Sequence, residues 1–203
     1  MFRSLRLHHC SNCGFGFTFP ELSEEELNLF YQKEYRNKSS TFYFDYTKSP
    51  RLNYSNIRGS RSFAQLTLGR VFCEFNKGDI LLDIGSGKGG SFRVAKALFN
   101  QPSLHAIEKS ENVREYNSKY FQAYSHDSLN DFISTGKKAR IILMSHSLEH
   151  FGLGRYGDPI DYFGHLKAIK NITSILKKGG LFYFSVPIGK QRIEFNAHRV
   201  FSV

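Results

Sequence analysis

Short apolar runs alternate with amphipathic stretches along the chain from Gly78 onward. A short apolar run predicts a buried strand, and an apolar face that recurs every three to four residues predicts a helix. The predicted strands cover 80–84, 103–108, 120–125, 139–145 and 181–186, and the predicted helices cover 89–99, 110–118, 126–135 and 161–177. Because strands that alternate with helices form a parallel sheet covered on both faces, we expect one α/β domain over residues 78–203.

Residues 1–77 lack this alternation and are expected to form an N-terminal extension. Residues 1–20 contain cysteines, glycines and a proline, which predict a loop. Ser23 followed by Glu26 matches a capping box, so a helix is expected to begin there. Polar residues dominate 36–55 and predict an irregular connector.

A second helix is predicted at 57–75, where Phe63, Leu66, Arg70 and Phe72 are spaced for one face or its margins. The chain of 203 residues is long enough for one α/β domain and a short appendage. It has no apolar run of the roughly 18 residues that cross a bilayer. Its N-terminus also lacks the apolar core of a secretory signal, so a cytoplasmic location is expected.

The formal net charge of +10 is spread along the chain rather than gathered in one cluster. A dispersed positive charge favours a small anionic partner through long-range attraction. Nucleic-acid binding is disfavoured, because it usually requires a basic stripe or an aromatic platform. The three cysteines are too few for a disulfide scaffold.

A glycine-rich loop, with Gly85, Gly87 and Gly89, follows the first predicted strand of the domain and opens a helix. Glycines let a backbone turn sharply and approach a ligand closely, and a helix N-terminus presents free N–H groups. The loop therefore predicts a nucleotide-cofactor site of a Rossmann-like domain. Gly90 also completes the G-x-G-x-x-G pattern of dinucleotide sites, so an NAD(P)-dependent oxidoreductase stays open at this point.

Two acidic residues bear on the choice of cofactor. Asp83 stands two residues before the first glycine, where a carboxylate suits the ammonium group of S-adenosylmethionine and would repel a pyrophosphate. Glu108 ends the next predicted strand, where a carboxylate can accept both ribose hydroxyls of either cofactor. The sequence thus favours S-adenosylmethionine.

The second half of the chain resembles the class I S-adenosylmethionine-dependent methyltransferases. The segments that carry the resemblance are Leu82–Gly87, Ser147–His150 and Leu176–Leu181 followed by Val186 and Pro187. The segments Gly152–Pro159 and Phe195–Arg199 resemble, more narrowly, an uncharacterised bacterial and nematode branch of that superfamily. The resemblance covers about residues 78–203 and implies a Rossmann-like parallel sheet flanked by helices.

The resemblance also implies which residues hold the cofactor. Its methionine and ribose parts would be surrounded by Asp83, Gly85, Ser86, Gly87 and Gly89. Its ribose would be held by Glu108, and its adenine amino group would lie near Asp127. Its sulfonium would be bordered by Ser145 and His146, which end the fourth strand.

Catalysis of methyl transfer to a protonated acceptor requires a base. His150 is the first candidate, because it follows the fourth strand on the loop that faces the cofactor, and Glu149 could orient its ring or be structural. His146 is the alternative base, and a packing or capping role for His150 stays open. A small acceptor such as a sugar or sugar nucleotide would contact Arg155 and Tyr156.

The N-terminal segment resembles the leader of sugar C-methyltransferases, in which a cysteine pair forms half of a four-cysteine zinc ribbon. Cys10 and Cys13 match that pair, but the other pair has no counterpart, and a structural zinc site needs four ligands. Zinc binding and two reduced thiols are therefore both open. His198 matches a histidine at the acceptor site of the same enzymes.

The chain ends soon after its fifth predicted strand, so we expect the parallel sheet to lack the antiparallel hairpin of the family. An exposed fifth strand could pair with another chain, which makes dimerisation possible. The alternatives to an active methyltransferase are an inactive S-adenosylmethionine-binding remnant, an NAD(P)-dependent oxidoreductase and a zinc-ribbon nucleic-acid module.

Overall fold

The computed structural model describes residues 6–12, 16–20, 22–30, 54–156, 158–194 and 198–203. Its N-terminal part contains an antiparallel pair of strands, β1 (Arg6–His9) and β2 (Gly16–Phe19). The expectation that residues 1–20 form only a loop was therefore wrong. Phe and Thr in the second strand favour extended backbone, but a four-residue run is too short to reveal a strand by its periodicity.

Helix α1 (Glu24–Leu29) begins at the predicted capping box. The Ser23 hydroxyl accepts from the backbone N–H of Glu26 at 3.1 Å, and the Glu26 carboxylate accepts from the backbone N–H of Ser23 at 2.9 Å. Two backbone donors that a helix start leaves unpaired are thus satisfied. The predicted connector at 36–55 lies almost entirely outside the described residues.

Helix α2 (Tyr54–Phe72) begins and ends three residues before the predicted bounds. Its packing face differs from the predicted one, because Leu66 is buried whereas Phe63 and Phe72 are 55% and 71% exposed. Gly69 lies on the packing face, where an added Cβ would stand 3.3 Å from the Ile141 side chain. The small residue lets the helix lie close to the sheet.

Five strands form the central sheet, and each is parallel to its neighbours, as predicted. They are β3 (Ile80–Ile84), β4 (Ser103–Ile107), β5 (Tyr124–His126), β6 (Ala139–Ser145) and β7 (Leu176–Ser185). Their order across the sheet is β5-β4-β3-β6-β7, so the chain builds outward from β3 to one edge and then from β6 to the other. This is the Rossmann-like arrangement, with its switch point between β3 and β6.

Four helices complete the domain, with bounds that differ slightly from the predicted ones. They are α3 (Gly90–Leu98), α4 (Glu111–Phe121), α5 (Leu129–Ser134) and α6 (Gly164–Ser174). The predicted strand at 120–125 began too early, because Phe121 is buried as the last residue of α4. The predicted helix at 161–177 ran too far, because β7 already begins at Leu176.

The two faces of the sheet carry separate apolar clusters. Leu81, Ile141 and Leu143 pack on one face with side chains from α2, α3 and α4. Leu82 and Ile142 point to the other face, toward α5 and α6. Because both faces are covered, the central strands β3 and β6 are mainly apolar, which is why they were recognisable in the sequence.

A further antiparallel pair, β8 (Arg192–Ile193) and β9 (Arg199–Val200), lies apart from the central sheet. Arg199 is buried, and its guanidinium donates to the backbone carbonyls of Phe151, Asp161 and Tyr162. The last two of these bonds measure 3.2 and 3.3 Å. Arg199 therefore ties the hairpin to both ends of the loop that leads from β6 to α6, which we call the acceptor-side loop (residues 151–163).

Two histidines form a buried hydrogen-bonded pair between β4 and β5. His105 Nδ1 lies 3.0 Å from His126 Nε2, and the His105 ring packs edge-on against Phe132. Burial, helped by the neighbouring His126 and Lys137, lowers the pKa of His105 to about 4. Burial also lowers the pKa of His126, although Asp131 acts in the opposite direction.

We expect this pair to make the fold acid-sensitive. Above pH 6.5 His105 is neutral in both the folded and unfolded states, whereas between pH 6.5 and 4 the unfolded chain takes up a proton that the folded chain excludes. The free energy of unfolding in urea should therefore be about 2 kcal/mol lower at pH 5 than at pH 8 from His105 alone. His105→Asn should remove most of that difference, and an unchanged pH dependence in this variant would contradict the assignment.

Loss of the Arg199 guanidinium should destabilise the protein strongly. Arg199→Met leaves three carbonyls without their donor, and we expect a loss of about 2–4 kcal/mol in the free energy of unfolding. Arg192→Met is the matched control on the same hairpin, because Arg192 is 49% exposed and its ion pair with Glu194 should contribute less than about 1 kcal/mol. Equal losses in the two variants would show that Arg199 does not hold the loop.

Candidate functional site

The loops that follow β3 and β6 meet at the switch point of the sheet and enclose a cavity of about 120 Å³. Pockets that enclose a whole ligand typically measure roughly 300–1,000 Å³, so this cavity suits a group the size of an amino acid. It is lined by Arg61, Ser62, Asp83, Gly85, Ser86, Gly90, Ser91, Leu143, Ser145 and His146. The cavity therefore brings together five of the predicted site residues, namely Asp83, Gly85, Ser86, Ser145 and His146.

The glycine loop needs its first glycine for two reasons. Gly85 has φ +75°, in the left-handed region, and a Cβ there would lie 2.1 Å from the Ser147 hydroxyl oxygen. That hydroxyl in turn donates to the backbone carbonyl of Ile84 at 3.1 Å. The loop after β3 and the loop after β6 are thus in direct contact, which only a residue without a side chain permits.

Asn117 on α4 holds the middle of the glycine loop and was not found from the sequence. Its side chain is fully buried, and its amide donates to the Ser86 hydroxyl at 3.0 Å and to the Gly87 carbonyl at 2.9 Å. Its position four residues after Val113 and four before Phe121, both buried, was the available signal. A polar residue on the buried face of a helix generally has a hydrogen-bonding role.

Asp83 lies in the wall of the cavity, and only 8% of its surface is exposed. The hydroxyl of Ser91, in the first turn of α3, donates to its carboxylate at 2.5 Å. A buried carboxylate is costly unless it is hydrogen-bonded or faces a positive charge. The cavity therefore offers one anionic group to a ligand.

Glu108 follows β4 and connects its end to the glycine loop. One carboxylate oxygen accepts from the backbone N–H of Gly87 at 3.0 Å, and the other accepts from that of Ser110 at 3.2 Å. Each oxygen keeps a further lone pair for a ligand hydroxyl. The carboxylate thus lies beside the loop, at the carboxyl end of the neighbouring strand.

Asp127 lies farther along the same edge of the sheet, between two cations. Its carboxylate is 3.3 Å from Lys109 Nζ and 3.0 Å from an Arg114 guanidinium nitrogen. The same Arg114 nitrogen donates to the backbone carbonyls of Glu108 and Lys109. Arg114 therefore joins the ends of β4 and β5, a role that the sequence analysis missed.

His146 and Glu149 form a pair on the other side of the cavity. His146 is 47% exposed at its side chain and lies 3.5 Å, through Nδ1, from a carboxylate oxygen of the buried Glu149. Burial raises the pKa of Glu149, while His146 and His198 act to lower it. From the sequence, Glu149 could either orient His150 or be structural, and in the structure its carboxylate lies beside His146.

His150 and His198 lie together on the outer side of this region. The His150 ring is edge-on to His198 at 6.2 Å between centroids and edge-on to Tyr156 at 5.4 Å. The Arg155 guanidinium lies over the Tyr156 ring at 5.5 Å. The three predicted acceptor residues, Arg155, Tyr156 and His198, therefore lie around His150, the first candidate base, and none of the four lines the cavity.

Asp158 gives the acceptor-side loop its shape. Its carboxylate accepts from the backbone N–H of Gly152 at 2.5 Å and from that of Tyr156 at 3.3 Å. Gly152 and Gly164 approach so closely that a Cβ on Gly164 would lie 2.6 Å from the Gly152 Cα. These contacts explain Gly152 and Asp158 in the segment Gly152–Pro159.

Arg61 and Ser62 were not found from the sequence either. They reach the cavity from α2, which belongs to the predicted N-terminal extension. No local pattern distinguishes them from other polar residues on an exposed helix. Their position follows only from the way α2 packs across the sheet.

The predicted zinc ligands are only partly visible. Cys10 is half-buried after β1, and Cys13 lies outside the described residues. Within the described ranges, no three His, Cys, Asp or Glu side chains are grouped in a way that could hold a metal ion. In the same part of the chain, no helix is both long enough and apolar enough to cross a membrane.

The contact between Gly85 and Ser147 can be tested with a matched pair of glycines. Gly136 is also left-handed, at φ +67°, but an added Cβ there meets nothing within 4 Å. Gly136→Ala should therefore cost only the backbone strain of roughly 1–2 kcal/mol. Gly85→Ala should cost a further ~1–3 kcal/mol in urea unfolding, because the new methyl group overlaps Ser147.

Adding Ser147→Gly to the Gly85→Ala variant removes the atoms that the new methyl group meets, so part of the lost stability should return. If Gly85→Ala and Gly136→Ala were equally destabilised, the contact between the two loops would not constrain the fold.

Comparison with known proteins gives distant structural similarities. A methyltransferase from Clostridium acetobutylicum, titled as S-adenosylmethionine-dependent, has a TM-score of 0.49 and 18% identity over 68% of this chain and 53% of its own. DesVI from Streptomyces venezuelae has a TM-score of 0.47 and 19% identity over 63% of this chain and 50% of its own. The plantazolicin methyltransferase BpumL, solved with a pentazolic desmethylPZN analogue and SAH, has a TM-score of 0.44 and 18% identity over 69% of this chain and 49% of its own.

The chain spans about half the length of these solved proteins. Similarities this distant carry no argument about activity, so the fold assignment stands on the strand order described above. No curated protein matches the chain. One family model matches residues 102–203, which is half of the chain, and the chain therefore belongs to the family described as "Caenorhabditis protein of unknown function, DUF268".

Proposed function

We propose that this protein is an S-adenosylmethionine-dependent methyltransferase that acts on a small acceptor. The observation that carries the proposal is the buried carboxylate of Asp83, which lines an amino-acid-sized cavity beside the left-handed glycine loop. In open α/β sheets, ligands bind at the carboxyl ends of the strands at the switch point, which is where this cavity lies.

The chemistry of the cavity fits the amino-acid end of this cofactor. Asp83 would take its ammonium group, and Arg61, which also lines the cavity, would suit its carboxylate. A pyrophosphate in the same place would be repelled by Asp83, which disfavours a dinucleotide. Gly85, Ser86, Gly87 and Gly89 would contact the ligand through backbone groups, and Ser145 with His146 would border the sulfonium.

The remaining cofactor residues follow the edge of the sheet. Glu108 would accept the ribose hydroxyls with the lone pairs that Gly87 and Ser110 leave free. Asp127 would lie near the adenine, where Lys109 and Arg114 already hold its carboxylate in place. When bound, the cofactor supplies an electrophilic methyl group on a sulfonium.

The acceptor would approach from the side of the acceptor-side loop. His150, Tyr156, Arg155 and His198 form a continuous row of rings and a guanidinium there. Such a surface suits a hydroxyl-rich or anionic small molecule, since it offers donors, a cation and an aromatic face. A sugar-like acceptor is our proposal, and the net charge of +10 agrees with an anionic one.

Calorimetric titration with S-adenosylmethionine, S-adenosylhomocysteine and NAD in parallel tests the proposal. We expect the first two to bind and NAD not to bind. Asp83→Asn should weaken S-adenosylmethionine at least about tenfold, because the ammonium group loses its counter-charge. S-adenosylhomocysteine formation should then be measured with a panel of nucleoside diphosphate sugars.

Asp79→Asn is the matched control for this titration. Asp79 comes directly before the first residue of β3, the strand that contains Asp83, and its carboxylate lies 2.8 Å from Lys177 Nζ. Its loss should leave affinity for S-adenosylmethionine within about twofold. Binding of NAD alone would contradict the proposed function.

A further inference from the structure

His146 is held in a backbone conformation that most residues avoid. Its φ of +56° lies in the left-handed region, which residues other than glycine seldom adopt. Its backbone N–H donates to the Ser185 carbonyl at 3.1 Å, so the ends of β6 and β7 fix it from both sides. Strain of this kind persists where the surrounding structure enforces it, and it is concentrated at functional sites.

Glu149 is the group that holds the His146 ring. Only 2% of Glu149 is exposed, and it belongs to the 3-10 turn Leu148–His150, which is anchored by the buried Leu148. One carboxylate oxygen lies 3.5 Å from His146 Nδ1, and the other has no hydrogen-bond partner among the described residues. A buried carboxylate that is only partly paired destabilises a fold, so packing alone does not explain it.

The pairing decides which nitrogen of His146 can take a proton. A carboxylate beside Nδ1 favours the tautomer with its proton on Nδ1, and Nε2 is then left as the basic atom. The side chain that carries Nε2 lines the cavity together with Asp83 and Gly85. His150, by contrast, packs against Tyr156 and His198 and does not line it.

We propose that His146 is the catalytic base of the methyl transfer and that Glu149 is its positioning residue. The inference rests on the proposed function and names the base of that same site. An acceptor hydroxyl oxygen forms a bond to the methyl carbon while the carbon–sulfur bond breaks and its electron pair stays on the sulfur. The hydroxyl proton passes to His146 Nε2, and the imidazolium that results is stabilised by the Glu149 carboxylate.

The deciding experiment observes the tautomer of His146 directly. Histidine-labelled protein with S-adenosylhomocysteine bound is studied by ¹⁵N–¹H multiple-bond NMR at pH 8, and His146 is assigned by its loss in His146→Asn. We expect a protonated Nδ1 and an unprotonated Nε2. Glu149→Met, which removes the carboxylate and keeps a side chain of similar length, should move the proton toward Nε2.

The variants separate a catalytic role from a structural one. His146→Asn suits the left-handed backbone, because asparagine tolerates this region, and Gln101→Asn is its control at another left-handed position, φ +48°. Gln101→Asn should leave affinity for S-adenosylhomocysteine within about threefold, and kcat of both variants is compared at saturating S-adenosylmethionine. On any panel sugar that the wild type methylates, His146→Asn should lower kcat at least about a hundredfold, whereas Gln101→Asn should not.

Glu149→Gln gives the most diagnostic combination. It removes a buried charge without changing shape, so the protein should unfold at an equal or higher urea concentration while kcat falls about tenfold or more. A structural role alone would lower stability and leave kcat unchanged.

Three results would overturn the inference. The first is a His146 that carries its proton on Nε2, and the second is a tautomer that does not change in Glu149→Met. The third is selective broadening of the His146 and Glu149 signals by stoichiometric Mn²⁺, because that result would make these residues metal ligands. Failure of S-adenosylhomocysteine to bind would contradict the proposed function instead, and the tautomer of the ligand-free protein would still decide the pairing.

Discussion

The close contact between Gly85 and Ser147 is the constraint on which the site depends. Parallel strands β3 and β6 lie side by side, but their following loops lead to opposite halves of the sheet. A crevice would simply open between them if nothing joined the loops. The Ser147 hydroxyl crosses that gap to the Ile84 carbonyl through the space that the missing Cβ leaves. The two walls of the cavity are thereby fixed relative to each other.

Around this contact the fold buries an unusual set of polar groups. Asp83, Asn117 and Glu149 are each at least nine-tenths buried. Asp83 and Asn117 belong to the side of the glycine loop, and Glu149 belongs to the side of the loop after β6. Asn117 holds the glycine loop, Asp83 presents a negative charge, and Glu149 holds an imidazole. Each carries a desolvation cost that an apolar residue would avoid. Their common location is the strongest physical sign that this crevice is functional.

The sequence predicted the sheet well, because its inner strands are buried on both faces and its helices are amphipathic. It also placed Asp83, Gly85 and Ser145 at one site, since carboxyl ends of parallel strands meet at one edge. It missed Asn117 and Arg61, whose positions depend on how helices pack across the sheet. Local spacing could not show that a helix from the N-terminal extension lines the cavity.

The pairing of Glu149 illustrates the limit more sharply. Adjacent residues such as Glu149 and His150 are easily paired when only the sequence is read, yet neighbouring side chains in a 3-10 turn diverge. The left-handed backbone at His146 turns its ring back toward Glu149 three residues later. That conformation is uncommon for residues other than glycine and carries no sequence signature. Tertiary contacts from β7 impose it.

The link between Arg199 and the acceptor-side loop has a consequence for how such a protein can change over evolutionary time. Its three carbonyl bonds join the loop to a hairpin outside the central sheet, and they use backbone atoms that every residue possesses. Side chains along the loop can therefore be exchanged without loss of the anchor. The half of the crevice around the glycine loop rests on different contacts. Under the proposed function, substrate preference would diversify among relatives while the half that holds the cofactor stays under separate selection.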